Sequence, residues 1–193
     1  MSAIRLGTRA STLATTQSEM VAGLLRSEGL DVNLTTITTH GDTSTASLAA
    51  MGGIGVFASA IRAALLEGEA DIAVHSFKDL PTGRPLGLAI GAVPARADPR
   101  DALVARDGLT LHDLPQEASV GTGSPRRAAQ LLAVRPDLTI VDIRGNVDTR
   151  LGRVKGLGRY AKNGGKEDLD AVVLAASGLA RLGHSGAVTE FLD

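Results

Sequence analysis

Two hydrophobic rhythms alternate along the chain. Ile4 to Gly7 is a short apolar run, and from a capping Ser11 the residues Leu13, Gln17, Val21, Leu24 and Leu25 fall on one helical face until Gly29 breaks it. Asp31 to His40 alternates Val, Leu, Ile and Thr residues and predicts a strand, followed by a polar loop at Gly41 and Asp42. After Gly52, Gly53 and Gly55 a second helix is predicted, with Val56, Phe57, Ala60, Ile61, Ala64 and Leu65 inward and its end near Gly68. Asp71 to His75 then predicts a buried strand.

Prolines change the texture in the middle. Pro81, Pro85, Pro94 and Pro99 bracket one apolar run, Leu86 to Val93, and Pro94 to Asp101 is expected to cross between lobes. Beyond it, Ala102 to Ala105, Ser119 to Gly121, Thr139 to Ile143 and Ala171 to Leu174 predict strands. Helices are predicted from Pro125 to about Val134, from near Asn146, and over Ser177 to Leu182, with an exposed loop around Gly156 to Gly165. Strands alternating with helices imply βαβ units, so the expected class is α/β with mixed, mostly parallel sheets. The expected domains are 1–95 and 96–193, and no repeat of fixed period is visible.

Composition narrows the chemistry. With 193 residues, 44% hydrophobic and 21% charged, the chain can bury a real core. Its 20 Lys and Arg against 21 Asp and Glu leave a net charge of −1, and aromatics are only 2%, so neither the basic field nor the stacking surface of a nucleic-acid binder is expected. A cysteine count of 0 removes disulfides, thiolate metal sites and cysteine nucleophiles from this chain. His40, His75, His112 and His184 lack metal-ligand spacing, so no metal site is expected. No apolar run approaches a membrane span or a signal segment, which makes a cytoplasmic protein, away from membranes, the expectation.

The candidate chemistry collects just after the predicted strands, where ligands bind in α/β sheets. Arg9 follows the first; His75, Ser76, Lys78 and Asp79 follow the strand at Asp71; Thr122, Ser124, Arg126 and Arg127 follow the one at Ser119. Arg144, Asn146 and Arg150 follow the strand at Thr139, and Arg181 lies past the last. Arginine's planar fork suits carboxylates and phosphates, so these positions predict a site for several anionic groups. Taken singly, each arginine is more readily a solvated surface charge paired with Asp or Glu; it is their shared place after the strands that favours the anion site. Asp79 is placed to stabilise a developing cation or move a proton, or else to cap a turn before Leu80 and Pro81. Gly53-Ile54-Gly55 lacks the remaining residues of a phosphate loop and is read as a tight turn.

Six segments together carry a specific resemblance: Leu6 to Gln17 (LGTRASTLATTQ), Asp71 to Pro81 (DIAVHSFKDLP), Arg96 to Ala102 (RADPRDA), Gly121 to Arg127 (GTGSPRR), Arg144 to Arg150 (RGNVDTR) and Leu174 to Leu182 (LAASGLARL). In this order, across nearly the whole chain, they resemble the porphobilinogen deaminase (hydroxymethylbilane synthase) family. The resemblance implies two periplasmic-binding-protein-like (type II) lobes around a central cleft, followed in the family by a third domain. It implies a transferase of tetrapyrrole and haem biosynthesis that condenses four porphobilinogen units head to tail with release of ammonia. It also implies a dipyrromethane cofactor, held through a thioether to a third-domain cysteine that has no counterpart here.

Residue by residue, the resemblance assigns Arg9, Arg126, Arg127, Arg144, Arg150 and Arg181 to the substrate and oligopyrrole carboxylates, assisted by Ser11, Ser76, Thr122, Ser124 and Asn146. Lys78 matches a cofactor ligand, and Asp79 matches the essential acid that holds pyrrole nitrogens and stabilises the cation left by ammonia while assisting proton transfer. One departure is Ile54, in Gly52-Gly53-Ile54-Gly55, where the family usually has a lysine. The chain is expected to be the truncated two-lobe part of such an enzyme, monomeric, missing the segment that returns to the first lobe, and without normal turnover by itself. The rival expectations are a non-catalytic two-lobe module that captures anionic small molecules, and an RNA binder that uses the arginines.

Overall fold

The computed structural model describes residues 2–38, 58–83 and 85–193, which form two compact units, Met1–Ala95 and Arg96–Asp193. The predicted start of the second helix, His40 and the Gly52 to Gly55 turn lie outside the described residues.

In the first unit a parallel sheet runs in the order β2-β1-β3, with β1 Ile4–Thr8, β2 Val32–Thr36 and β3 Ile72–Ala73. Helix α1 spans Thr12–Ser27 because Ser11 caps it, its Oγ accepting from the Ala14 amide. It ends where Gly29 turns left-handed at φ 81°, with the Gly29 and Leu30 amides bonding back to Arg26 and Leu25. The buried face of α1 differs from the predicted one. Ser18 and Ala22 are its buried residues, Val21 and Leu25 pack against Leu6 and Val32, and Leu24 is 61% exposed. Small residues let the helix lie close to β1, and the Ser18 hydroxyl is satisfied there by donating to Thr8 Oγ1 at 2.7 Å. Helix α2, Ser59–Leu66, buries Ile61 and Ala64. Strand β3 is shorter than the predicted 71–75 and only half-buried, and among the described residues it is an edge with one partner.

Residues 85–100 have no regular structure, and the apolar run of the sequence lies open, with Leu86 94% exposed.

The second unit is built on five strands in the order β6-β5-β7-β4-β8: β4 Asp101–Ala105, β5 Ser119–Gly121, β6 Thr139–Val141, β7 Ala171–Ala175 and β8 Glu190–Leu192. β5 pairs in parallel with β6 and β7, whereas β4 is antiparallel to β7 and β8. The uninterrupted apolar runs of β4 and β7 are explained by burial on both faces. Ala102, Val104, Val172 and Leu174 face Ile143, Leu151, Leu169 and Leu179, while Leu103, Ala105, Ala171 and Val173 face Leu114, Val120, Leu131 and Leu138. Each such Leu, Ile or Val contributes roughly 1.5–3 kcal/mol by burial. Helices α3 Pro125–Val134, α4 Val147–Leu151 and α5 Ala176–Arg181 complete the unit. The sequence pattern did not predict β8, and it carried β6 two residues too far, because Ile143 is a core residue of the loop beyond the strand.

Candidate functional site

Each unit presents its own cluster at the carboxyl ends of its parallel strands. In the first, a pocket is lined by Arg9, Ser11, Leu13, Ala14, Gln17, Val74, His75, Ser76 and Asp79. The chain leaving β3 turns through one 3₁₀ turn, Phe77–Asp79, in which the Asp79 amide donates to the Ser76 carbonyl at 2.9 Å. That turn swings Asp79 back toward the start of α1. Ser76 Oγ donates to Gln17 Oε1 at 3.0 Å, which ties the turn to the helix. The structure thus brings Arg9, Ser11, Ser76 and Asp79 together, but it leaves Lys78 exposed and away from the pocket lining.

Of the polar lining residues, Gln17 and His75 had no site role assigned from the sequence, although His75 stood among the residues that follow the strand at Asp71; Leu13, Ala14 and Val74 complete the lining. A signal for Gln17 existed, since it was the one polar residue on the predicted apolar face of α1. Burial lowers the basicity of His75; Asp79 raises it, and Arg62 and Arg9 lower it again, leaving it below its usual value of 6.5. Its imidazole is therefore neutral at neutral pH.

In the second unit the loop after β5 is shaped by close packing. A side chain at Gly123 would place Cβ 2.6 Å from the Ile143 carbonyl oxygen. Thr122 is buried, its Oγ1 accepts from the Ser124 amide, and Ser124 Oγ caps α3 at the Arg127 amide. Asn146 caps α4 likewise, its Oδ1 accepting from the Thr149 amide at 2.8 Å. On these ordered turns the cationic side chains gather. Arg150 is half-buried, its Nε donates to the Gly145 carbonyl, and its acidity is increased first by burial and then by Arg127 and Arg144, with Asp142 opposing. A partly desolvated guanidinium on which two further positive charges act favours an anionic ligand.

Other predicted positions are less central. Arg127 already has a carboxylate partner in Asp101, with Nη2 to Oδ1 at 2.6 Å. Arg126 is exposed on the first turn of α3, and Arg181 is half-buried in the last turn of α5 without being drawn into the trio. Among the described residues no group of three or more His, Asp and Glu could hold a metal ion, and no helix is long and apolar enough to cross a membrane. The donor set, guanidiniums with hydroxyl and amide groups, fits a polycarboxylate such as a dipyrromethane.

Comparison with known proteins agrees with that chemistry. The family described as "Porphobilinogen deaminase, dipyromethane cofactor binding domain" matches residues 4–193. Relatives named porphobilinogen deaminase include those of Leifsonia xyli, 60% identical over 99% of this chain and 55% of the relative, and Micrococcus luteus, 59% identical over 100% and 53%. A third, from Thermobifida fusca, is 55% identical over 98% and 56%. The chain spans about half the length of the curated relatives it matches. Among solved structures, a periplasmic substrate-binding protein of an ABC transporter from Coxiella burnetii aligns with TM-score 0.50 and 18% identity over 98% of this chain and 79% of that one, which shows the periplasmic-binding-protein-like fold. With residues 4–193 matched by one family and relatives of that name 60% and 59% identical along the chain, the chain belongs to the porphobilinogen deaminases.

Proposed function

We propose that this chain supplies the substrate- and cofactor-binding part of an enzyme that condenses porphobilinogen head to tail into hydroxymethylbilane, with release of ammonia. The observation that carries the reading is half-buried Arg150, on which the charges of Arg127 and Arg144 both act, on the capped turns after β5 and β6. Porphobilinogen carries an acetate and a propionate, so every ring added brings two more carboxylates for such a group to hold.

Arg144 and Arg150, on the turn that Asn146 orders, would hold the carboxylates of a dipyrromethane; Arg126 and Arg127, on the turn ordered by Thr122 and Ser124, would with Arg181 serve those of the lengthening chain. The dipyrromethane supplies the anchored pyrrole on which condensation starts, and its thioether cysteine lies outside this chain, which has none. Arg9, Ser11 and Ser76 would orient the incoming substrate in the first unit's pocket. Asp79, lining that pocket, would balance the positive charge that develops as ammonia leaves. Lys78, exposed beside it, would reach a cofactor carboxylate. The protein is expected to work in the cytoplasm as a monomer, without nucleic acid or membrane.

The test is to incubate the purified chain with porphobilinogen, alone and with the remaining half of a family member, and to follow substrate loss, colour and intact mass. The expected result is consumption in the mixture only, abolished by Asp79→Asn. Substrate binding without consumption in either case would replace this reading with that of a binding module for anionic small molecules.

A further inference from the structure

We infer that His184 is a positioning residue of the second unit's anion site, acting through Asp148 on helix α4 and so on the guanidinium of Arg150. The inference rests on the reading of that site as a holder of pyrrole carboxylates and adds to it a pair of residues to which neither the motifs nor the composition gave a role.

Helix α4 is too short to set its own direction. Its five residues, Val147–Leu151, make little more than one turn, whereas isolated helices need roughly 12–15 residues to hold in water, so its orientation comes from what it touches. Asn146 caps its start, and Leu151 at its end is sealed in the core. A third tie is Asp148, whose Oδ1 lies 2.6 Å from His184 Nε2. An ionised carboxylate only accepts, so Nε2 carries the hydrogen and donates it. The two side chains are 21% and 33% exposed, and the bond is therefore largely protected from competition by water.

The other end of this bond is fixed by the backbone. His184 follows the left-handed Gly183, φ 74°, and the Gly183 and His184 amides donate to the Ala180 and Leu179 carbonyls at 3.1 and 2.8 Å, so the end of α5 itself places the residue. The Tyr160 ring meets the His184 ring edge to face, centroids 5.1 Å apart at 84°, and Tyr160 packs on the same core that receives Leu151. Asp148 and Arg150 are two positions apart and hence on nearly opposite sides of the helix. His184 grips one side of α4, while on the other Arg150 donates to the Gly145 carbonyl and is acted on by Arg127, Arg144 and Asp142. A guanidinium that two neighbouring cations push away keeps its place only where its backbone is held, and the bond to His184 holds that backbone from behind.

The test uses the purified chain and propane-1,2,3-tricarboxylate at low salt, read by calorimetry below each variant's melting transition. The part of the binding that Arg150→Leu removes belongs to this site. His184→Ala should weaken that part about tenfold, Asp148→Ala by a similar factor, and the double variant no further. His184→Gln, whose amide nitrogen can stand where Nε2 stands, should restore most of the affinity. In the Arg150→Leu background, His184→Ala should leave the residual binding unchanged. A lowered melting temperature with unchanged affinity would make the pair a structural tie alone and overturn the inference, as would a loss that persists in the Arg150→Leu background. Should His184→Ala fail to fold, His184→Leu, which fills the space without a donor, takes its place. The deaminase reading fails separately, if the unsubstituted chain supplied with the remaining half of the family's length consumes no porphobilinogen, whatever the variants do to the probe.

Discussion

Arg127 grips Asp101 with two arms, Nε to Oδ2 at 2.7 Å and Nη2 to Oδ1 at 2.6 Å, joining the first turn of α3 to the start of β4. A third nitrogen reaches toward the Val173 carbonyl of β7 at 3.5 Å. This fork holds one member of the cationic trio at a fixed place, so that it need not be ordered by the ligand.

Removing the fork should therefore loosen the turn while strengthening the positive field. Asp101→Asn is expected to lower stability by about 1–2 kcal/mol, the range for a charged, partly exposed bidentate pair. It should also tighten the binding of a tricarboxylate probe, since a competing anion has gone. Thermal denaturation and calorimetry at low salt measure the two effects, and weaker probe binding would contradict the second.

The close approach at Gly123 predicts a steric penalty. Gly123→Ala puts a methyl against backbone oxygen 2.6 Å away, which the loop relieves only by moving apart from Ile143. Overpacking of this kind costs about 1–3 kcal/mol. A variant as stable as the unsubstituted chain in urea would show that the loop is softer than its packing implies.

The cap on α4 is a smaller but separable contribution. Asn146→Ala leaves the Thr149 amide without its acceptor and should cost about 0.5–2 kcal/mol, whereas Asn146→Asp keeps the cap. Because Arg144 and Arg150 flank this turn, the alanine variant should also weaken tricarboxylate binding, with rescue by aspartate less complete because of its charge. Paired denaturation and binding curves for the two variants check this.

Acid should unfold the second unit partly through Asp170, which is 8% exposed. Burial pushes its carboxyl up, but hydrogen bonds from Lys155, Ser119 and Arg106 outweigh burial and hold it well below the usual 3.8. A carboxyl depressed in this way stabilises the fold where the unfolded chain is already ionised, above about pH 4, and its contribution is lost as pH falls through the lower folded value. Asp137, held at about 2 chiefly by the hydrogen bond from Arg135, adds to the same acid limb. Asp170→Asn should cost about 2–4 kcal/mol at pH 7, and the gap to the unsubstituted chain should narrow between pH 4 and pH 2. Urea titrations across that range decide it; a gap that stays constant would assign the effect to packing.

Much of this molecule is local. The capping serines Ser11 and Ser124, the capping Asn146, the helix-opening Pro125 and the left-handed Gly29 act over three or four residues, so the ends of α1, α3 and α4 follow from the chain itself. The unbroken apolar runs of β4 and β7 likewise announce strands covered on both faces. The order of motifs along the chain sufficed to recognise the family, because those motifs hold turns and charges at fixed spacing.

What depended on the tertiary structure is which neighbours those elements meet. Only packing against β1 selected Ser18 and Ala22, rather than Leu24, as the buried face of α1, because close approach favours small side chains over larger apolar ones. Only the pairing with β4 made a strand of Glu190–Leu192, whose own pattern is too short to declare one. The same holds for the chemistry. Thr122, Ser124 and Arg127 are neighbours in sequence, but the charges that act on Arg150 come from α3 and from the loop after β6, and those that act on His75 from three separate elements. Helix and strand periodicity say which side a residue faces; the field at a side chain is set by distances across the fold, and these exist only once the chain has closed on itself.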